Sequence, residues 1–141
     1  MPVGMDPVVH FQMSALDSGR MAVFYAEAFG WKAEHLGAEM GGYTVVTTTP
    51  SGADGRPTTP GAINGGFYMR TEDPASYAPG IVIAVEDVDR SMQAVKSAGG
   101  TIVGAPEEIP GVGRFATFLD TEGNRVSMLQ PLPPGAGAPS P

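Results

Sequence analysis

Apolar residues fall at every second position near the start of the chain. Over residues 8–13 (VVHFQM), Val9, Phe11 and Met13 share one face, and His10 and Gln12 lie on the other. A period of two predicts a strand covered on one side. The period then changes: Met21, Phe24, Tyr25 and Ala28 stand at i, i+3, i+4 and i+7, the stripe of a helix. Asp17 or Ser18 can cap that helix by accepting from its orphan N–H groups, and Gly30 stops it. Residues 31–36 and 43–49 read as two strands around a turn at 37–42. A polar loop rich in breakers, 49–61, leads to a further strand at 62–69 with an unusual Gly65-Gly66 pair inside it.

After a linker at 72–79 the pattern starts again. Residues 81–86 (IVIAVE) are β-prone, and a helix capped near Asp87 follows, with Val88, Met92 and Val95 as its apolar stripe and Gly99-Gly100 as its stop. A short strand at 101–105, a loop at 106–110 and a hairpin complete the series. The hairpin joins the runs 114–119 and 124–130 through Asp120-Thr121-Glu122-Gly123, where glycine supplies the left-handed turn position. Such a hairpin needs cover for its apolar face.

The halves match at a constant offset of 70: Asp17 on Asp87, Arg20 on Arg90, Ala28 on Ala98, Gly30 on Gly100, and Phe11, Met13 and Ala15 on Ile81, Ile83 and Val85. Both read strand–helix–strand–strand–strand. The fold class expected is α+β, with duplicated βαβββ modules forming curved mixed sheets around a cleft and helices on the outside. The organisation expected is an N-terminal extension at 1–6, a first module at 7–70, a linker at 71–79, a second module at 80–131 and a flexible tail at 132–141. In each module the helix covers Val9, Phe11 and Met13, or Ile81, Ile83 and Val85. Alternation turns His10, Gln12, Gly80, Val82 and Ala84 toward the cleft, and Ser127 and Leu129 from the last strand with them.

Composition narrows the chemistry. The 141 residues carry no cysteine, which excludes disulfides, thiolate metal ligands and thiol catalysis. A net charge of −7 argues against nucleic acid, since nothing would neutralise a run of phosphates. The chain has no leader pattern at its start and no apolar run long enough for a bilayer, so a cytoplasmic protein without a membrane partner is expected.

Four features carry a resemblance: VVHF with Phe24-Tyr25 downstream in a helix ending FGW, the strand IVIAVEDVD, the hairpin GRFATFLDTEGNRVSMLQP, and the duplication. Over residues 7–131 the chain resembles the vicinal oxygen chelate superfamily, the group of glyoxalase I, bleomycin-resistance proteins and extradiol dioxygenases. The hairpin is similar to the FxDPxGN signature, with Thr121 and Glu122 replacing the proline and its neighbour. The resemblance implies four inward ligand positions in metal-dependent members, on the first and last strand of each module. His10 matches the first. Gly80 occupies the corresponding place in the second module, and Ser127 the place of a carboxylate. The fourth falls among Asn64, Gly65 and Gly66, none of them carboxylate or imidazole. A divalent ion needs several His, Asp or Glu ligands, so no metal cofactor is expected.

The candidate ligand-cleft residues are therefore His10, Gln12, Asn64, Gly66, Gly80, Val82, Arg114, Ser127 and Leu129, with His10 the candidate for catalysis. Arg114 enters through Gly111-Val112-Gly113-Arg114, readable as an anion-binding nest with an adjacent cation or as a plain loop into the hairpin. Trp31, Tyr43, Phe67 and Phe115 can stack on a ligand or form core; His35 reads as surface, and Glu107 and Glu108 as solvated loop residues. The function expected is binding of a small organic molecule between the modules by a homodimeric glyoxalase/bleomycin-resistance-like protein. The alternatives are a lyase or dioxygenase dependent on Zn, Ni, Mn or Fe, and a cofactor-free enzyme with His10 as base.

Overall fold

The computed structural model describes residues 4–37 and 41–132. Most of the expected tail, the middle of the turn at 37–42 and the start of the N-terminal extension lie outside the described residues. The chain divides into two compact units, one comprising Val9–Pro79 and the other Gly80 onward together with the residues before Val9.

In the first unit, β1 (Val8–Ala15), α1 (Ser18–Phe29), β2 (Lys32–His35), β3 (Thr44–Thr47) and β4 (Asn64–Met69) follow in chain order. The sheet order is β2-β3-β4-β1, antiparallel except for the parallel pair β1 and β4. In the second unit, β5 (Gly80–Ala84), α2 (Val88–Ser97), β6 (Thr101–Ile109), β7 (Gly113–Leu119) and β8 (Arg125–Pro131) repeat the pattern. The order β5-β8-β7-β6, with β5 and β8 parallel, is the same topology. The duplicated βαβββ fold read from the offset is thus present. No helix among the described residues is long and apolar enough to cross a membrane.

The repeat extends to individual hydrogen bonds. Asp17 Oδ1 accepts from Arg20 N at 3.0 Å, and Asp87 Oδ1 from Arg90 N at 3.2 Å, so both helices open with the same cap. They close one residue apart: Gly30 is left-handed at φ 76°, whereas after α2 that role passes to Gly99 at φ 104°. Gly100 instead packs close, where a Cβ would lie 2.7 Å from Val95 Cγ1.

Each helix covers one face of its own sheet. In the first unit Ala15, Val46 and Phe67 form the core, with Phe11, Met13, Met21, Tyr25 and Trp31 packed against it. In the second, Val85, Val88, Ala116 and Met128 are joined by Ile83, Met92, Val95 and Phe118. The helical stripe of α1 is narrower than its spacing implies. Met21 and Tyr25 face the core, while Phe24 is 58% exposed and Ala28 is exposed. Phe24 lies on the flank because three residues turn a helix about 60° short of a full revolution, and its ring meets Tyr25 edge-on at 5.0 Å. Ile81 is also a correction, being exposed at the start of β5.

The expected loop at 106–110 is strand. β6 runs to Ile109, with its register against β7 shifting between Val103 and Glu107, where Gly104 takes φ 71°. An irregularity of this kind lets a strand continue past a break in its alternation. Glu107 and Glu108 are exposed as expected, but as strand residues opposite Phe115 and Arg114.

Candidate functional site: the uncovered face of the first module

Strand alternation leaves each sheet one face without a helix. In the first module the register pairs His10 with Asn64 and Gln12 with Gly66, while Val45 lies opposite Gly66 and Glu34 opposite Val45. His10, Gln12, Asn64, Gly66, Val45 and Glu34 therefore share that face.

The glycine pair in β4 is a slot open on both sides. Toward the helix, a Cβ on Gly65 would come within 2.6 Å of Phe11 Cγ, so the missing side chain admits the Phe11 ring. On the uncovered face, a Cβ on Gly66 would overlap the Tyr43 hydroxyl and lie 2.6 Å from Tyr43 Cε2. Tyr43 thus lies over the backbone of Gly66, in the row next to Gln12. Burial pushes its phenol up to about 12, which keeps the hydroxyl protonated as a donor at neutral pH.

His10 is half-buried, and burial pulls its imidazole below the ordinary histidine value of 6.5. The cause is loss of hydration; no hydrogen bond or charge contributes to the shift. Among the described residues its ring nitrogens have no hydrogen-bond partner, and no buried side-chain nitrogen or oxygen is left unsatisfied. The ring nitrogens are therefore open to whatever occupies that face. At pH 7 the ring is neutral, with one nitrogen able to accept and the other to donate.

Gln12 is buried at 3% exposure beside it. Asn64 is already engaged. Its Oδ1 accepts from Thr48 N at 2.8 Å and Thr49 N at 3.1 Å, and its Nδ2 donates to Ser51 Oγ at 3.3 Å. It pins the loop after β3. In the second module Val82 lies opposite Ser127 and Ala84 opposite Leu129, on the face away from α2. The Ser127 hydroxyl stands 3.2 Å from Thr117 Oγ1, and Gly80 opens β5.

Arg114 belongs elsewhere. Its guanidinium pairs with Asp89 in the first turn of α2, which puts it on the helix-covered face of β7. Alternation is the reason: Phe115 and Thr117 are opposite Leu129 and Ser127, so Arg114 points the other way. The glycines before it form a tight turn between β6 and β7, closed by Val112 N donating to Ile109 O at 3.0 Å. Gly113 is pressed against the Gln130 carbonyl, leaving no room for a Cβ.

The aromatics divide between the faces. Trp31 stacks on Tyr25 at 4.5 Å with planes 9° apart, and Phe67 is fully buried; both are core. Tyr43 lies on the uncovered face, as does Phe115 by register. His35 is exposed, with Nδ1 2.8 Å from Thr44 Oγ1. Sequence reasoning missed the seating of Tyr43 and the presence of Glu34 on this face. The signal for the first was the glycine pair, and for the second the alternation of KAEH.

Among the described residues no three His, Cys, Asp or Glu side chains cluster as a metal site. The positions assigned by resemblance offer one imidazole, a hydroxyl, no side chain at Gly80, and at the fourth either a glycine or the Asn64 amide, whose oxygen already takes two N–H groups. That donor set does not fit a firmly held divalent ion.

Residues 8–128 match the model of the Glyoxalase/Bleomycin resistance protein/Dioxygenase superfamily, and the chain belongs to that family. Over 125 residues it is 28% identical to the anthracycline biosynthesis protein DnrV of Streptomyces peucetius, covering 80% of this chain and 42% of that one. Over 53 residues it is 40% identical to the putative glyoxylase CFP32 of Mycobacterium tuberculosis, covering 38% of this chain and 20% of that protein. The chain thus spans less than half the length of these curated relatives. In structure it is similar to a single-residue variant of Streptomyces coelicolor methylmalonyl-CoA epimerase in complex with 2-nitronate-propionyl-CoA. The TM-score is 0.65 at 16% identity, over 98% of this chain and 100% of that one, a likeness of fold.

Proposed function

We propose that this chain binds a small organic molecule on the uncovered face of its first module, without a firmly held metal. One observation carries the reading: His10 is a desolvated, neutral imidazole with unengaged ring nitrogens, set beside buried Gln12 and the seated ring of Tyr43. Ligand sites combine apolar surface with a few directed polar groups, and this face has that make-up. The similarity to DnrV, named for anthracycline biosynthesis, favours a planar aromatic ligand, for which an aromatic ring is a natural neighbour. The net charge of −7 favours a cationic one by steering. Two copies pairing into a homodimer is part of the reading, motivated by the outer strands β2 and β6 at the ends of their sheets.

Two measurements test it. Protein purified without chelator or added metal is assayed by elemental mass spectrometry; substoichiometric Zn, Ni, Mn and Fe is expected, and near-stoichiometric metal overturns the metal-free reading. An anthracycline is titrated against the wild type and His10→Ala, following the fluorescence of the ligand. Saturable binding weakened in the variant is expected; equal affinity in the two removes His10 from the site.

A second reading, proton abstraction without a cofactor, is favoured by the lowered pKa of His10, since a neutral imidazole at pH 7 is a competent base. Solvent deuterium incorporation at a carbon acid α to a carbonyl, lost in His10→Ala, would establish it over simple binding.

A further inference from the structure

Away from that face, the end of β1, the first turns of α1 and Arg70 border an open recess of about 350 Å³. Its lining includes Ser14, Leu16, Arg20, Met21, Phe24 and Arg70. Leu16 and Phe24 are 67% and 58% exposed, so the recess has an apolar wall that the module's own core does not use.

Two cations line the recess, Arg20 and Arg70. Arg114 pairs with Asp89 on the other module. Neither Arg20 nor Arg70 forms an ion pair among the described residues. Arg70 is nevertheless held in place. Its Nε donates to Ser14 Oγ at 3.0 Å, and its guanidinium carbon lies 5.2 Å from the centre of the Tyr77 ring. Ser14 is buried and in turn donates to Ser76 O at 2.5 Å, which fixes the acceptor that Arg70 uses. This arrangement engages Nε and the face of the guanidinium and leaves its two terminal nitrogens free. Such a fork suits the two oxygens of a carboxylate.

Asp17 also lines the recess, but its Oδ1 is taken by Arg20 N as the helix cap. Two arginines against one aspartate give the lining residues a net positive charge. We propose that it binds a small organic monoanion with an apolar body, its charged end at Arg70 and Arg20 and its apolar part along Leu16, Met21 and Phe24.

The test is a ¹H–¹⁵N correlation titration of the full chain with hexanoate at pH 7, with hexan-1-ol as the neutral control. Saturable shifts in the amides of residues 14–24 and 70–71 are expected, with hexan-1-ol at least tenfold weaker. Arg70→Gln and Arg20→Gln should each weaken hexanoate at least fivefold while keeping a dispersed, folded spectrum, and added salt should weaken it in the wild type. Equal binding of acid and alcohol, wild-type affinity in both glutamine variants, or shifts centred on His10 and Gly66 would each overturn the proposal. His10→Ala should bind hexanoate like the wild type, so this recess and the uncovered face are tested independently.

Discussion

Gly66 and Tyr43 occupy what would otherwise be one volume: the tyrosine ring lies where a Cβ on residue 66 would have to go. Gly66→Ala should therefore destabilise by about 1–3 kcal/mol, the usual cost of overpacking. In the background of Tyr43→Ala the same substitution should cost much less, because the clashing ring is gone. A double-mutant cycle by urea denaturation measures this coupling. Additive effects would mean that the ring is seated elsewhere in solution.

Protonation of His10 should oppose folding. Burial lowers its folded-state pKa below 6.5, so between that lowered value and 6.5 the unfolded chain binds more protons than the native one. Stability then rises with pH across this window, and the contribution is lost as pH falls through it. His10→Gln should flatten the dependence of the urea midpoint on pH there while leaving the carboxylate-driven loss at lower pH. An unchanged slope would show that the imidazole is fully hydrated.

Arg114→Gln should leave ligand affinity on the uncovered face unchanged, since Arg114 faces α2 and pairs with Asp89. The pair is exposed to solvent, so its loss should move stability little. Comparison with His10→Ala in the same titration separates the two faces of the chain's sheets.

The two aspartate caps should be interchangeable in kind. Asp17→Ala and Asp87→Ala each remove the acceptor for a first-turn N–H and should each cost about 1 kcal/mol. Asp→Asn at either position keeps the acceptor and should recover most of that loss. Thermal or urea unfolding of the four variants checks this.

Much of the fold was legible because it is written in local periods. The switch from period two to period 3.6, the Asp17 and Asp87 caps, the glycine stops and the offset of 70 are properties of neighbouring residues, and they recovered the duplicated βαβββ order. Alternation alone also placed His10 and Gln12 on the face opposite Phe11 and Met13. The absence of cysteine and the poor donor set at Gly80 and Ser127 were likewise visible without coordinates.

Pairing between strands decided the rest. The side on which Arg114 emerges depends on the register of β7 against β8, and the run 113–119 taken alone does not specify its partner. The seat of Tyr43 over Gly66 joins strands that meet only in the folded sheet, and the hydrogen bond that holds Arg70 joins it to Ser14 across 56 positions. Asn64, a cleft candidate in the sequence, pins the loop after β3, because its partners Thr48 and Thr49 arrive through chain folding. What the sequence by itself determined was the kind and order of the elements, which follow from short-range sterics and hydrophobic alternation. Which polar groups are engaged and which are left open was decided only by tertiary structure, because hydrogen bonding and burial depend on what the fold brings alongside.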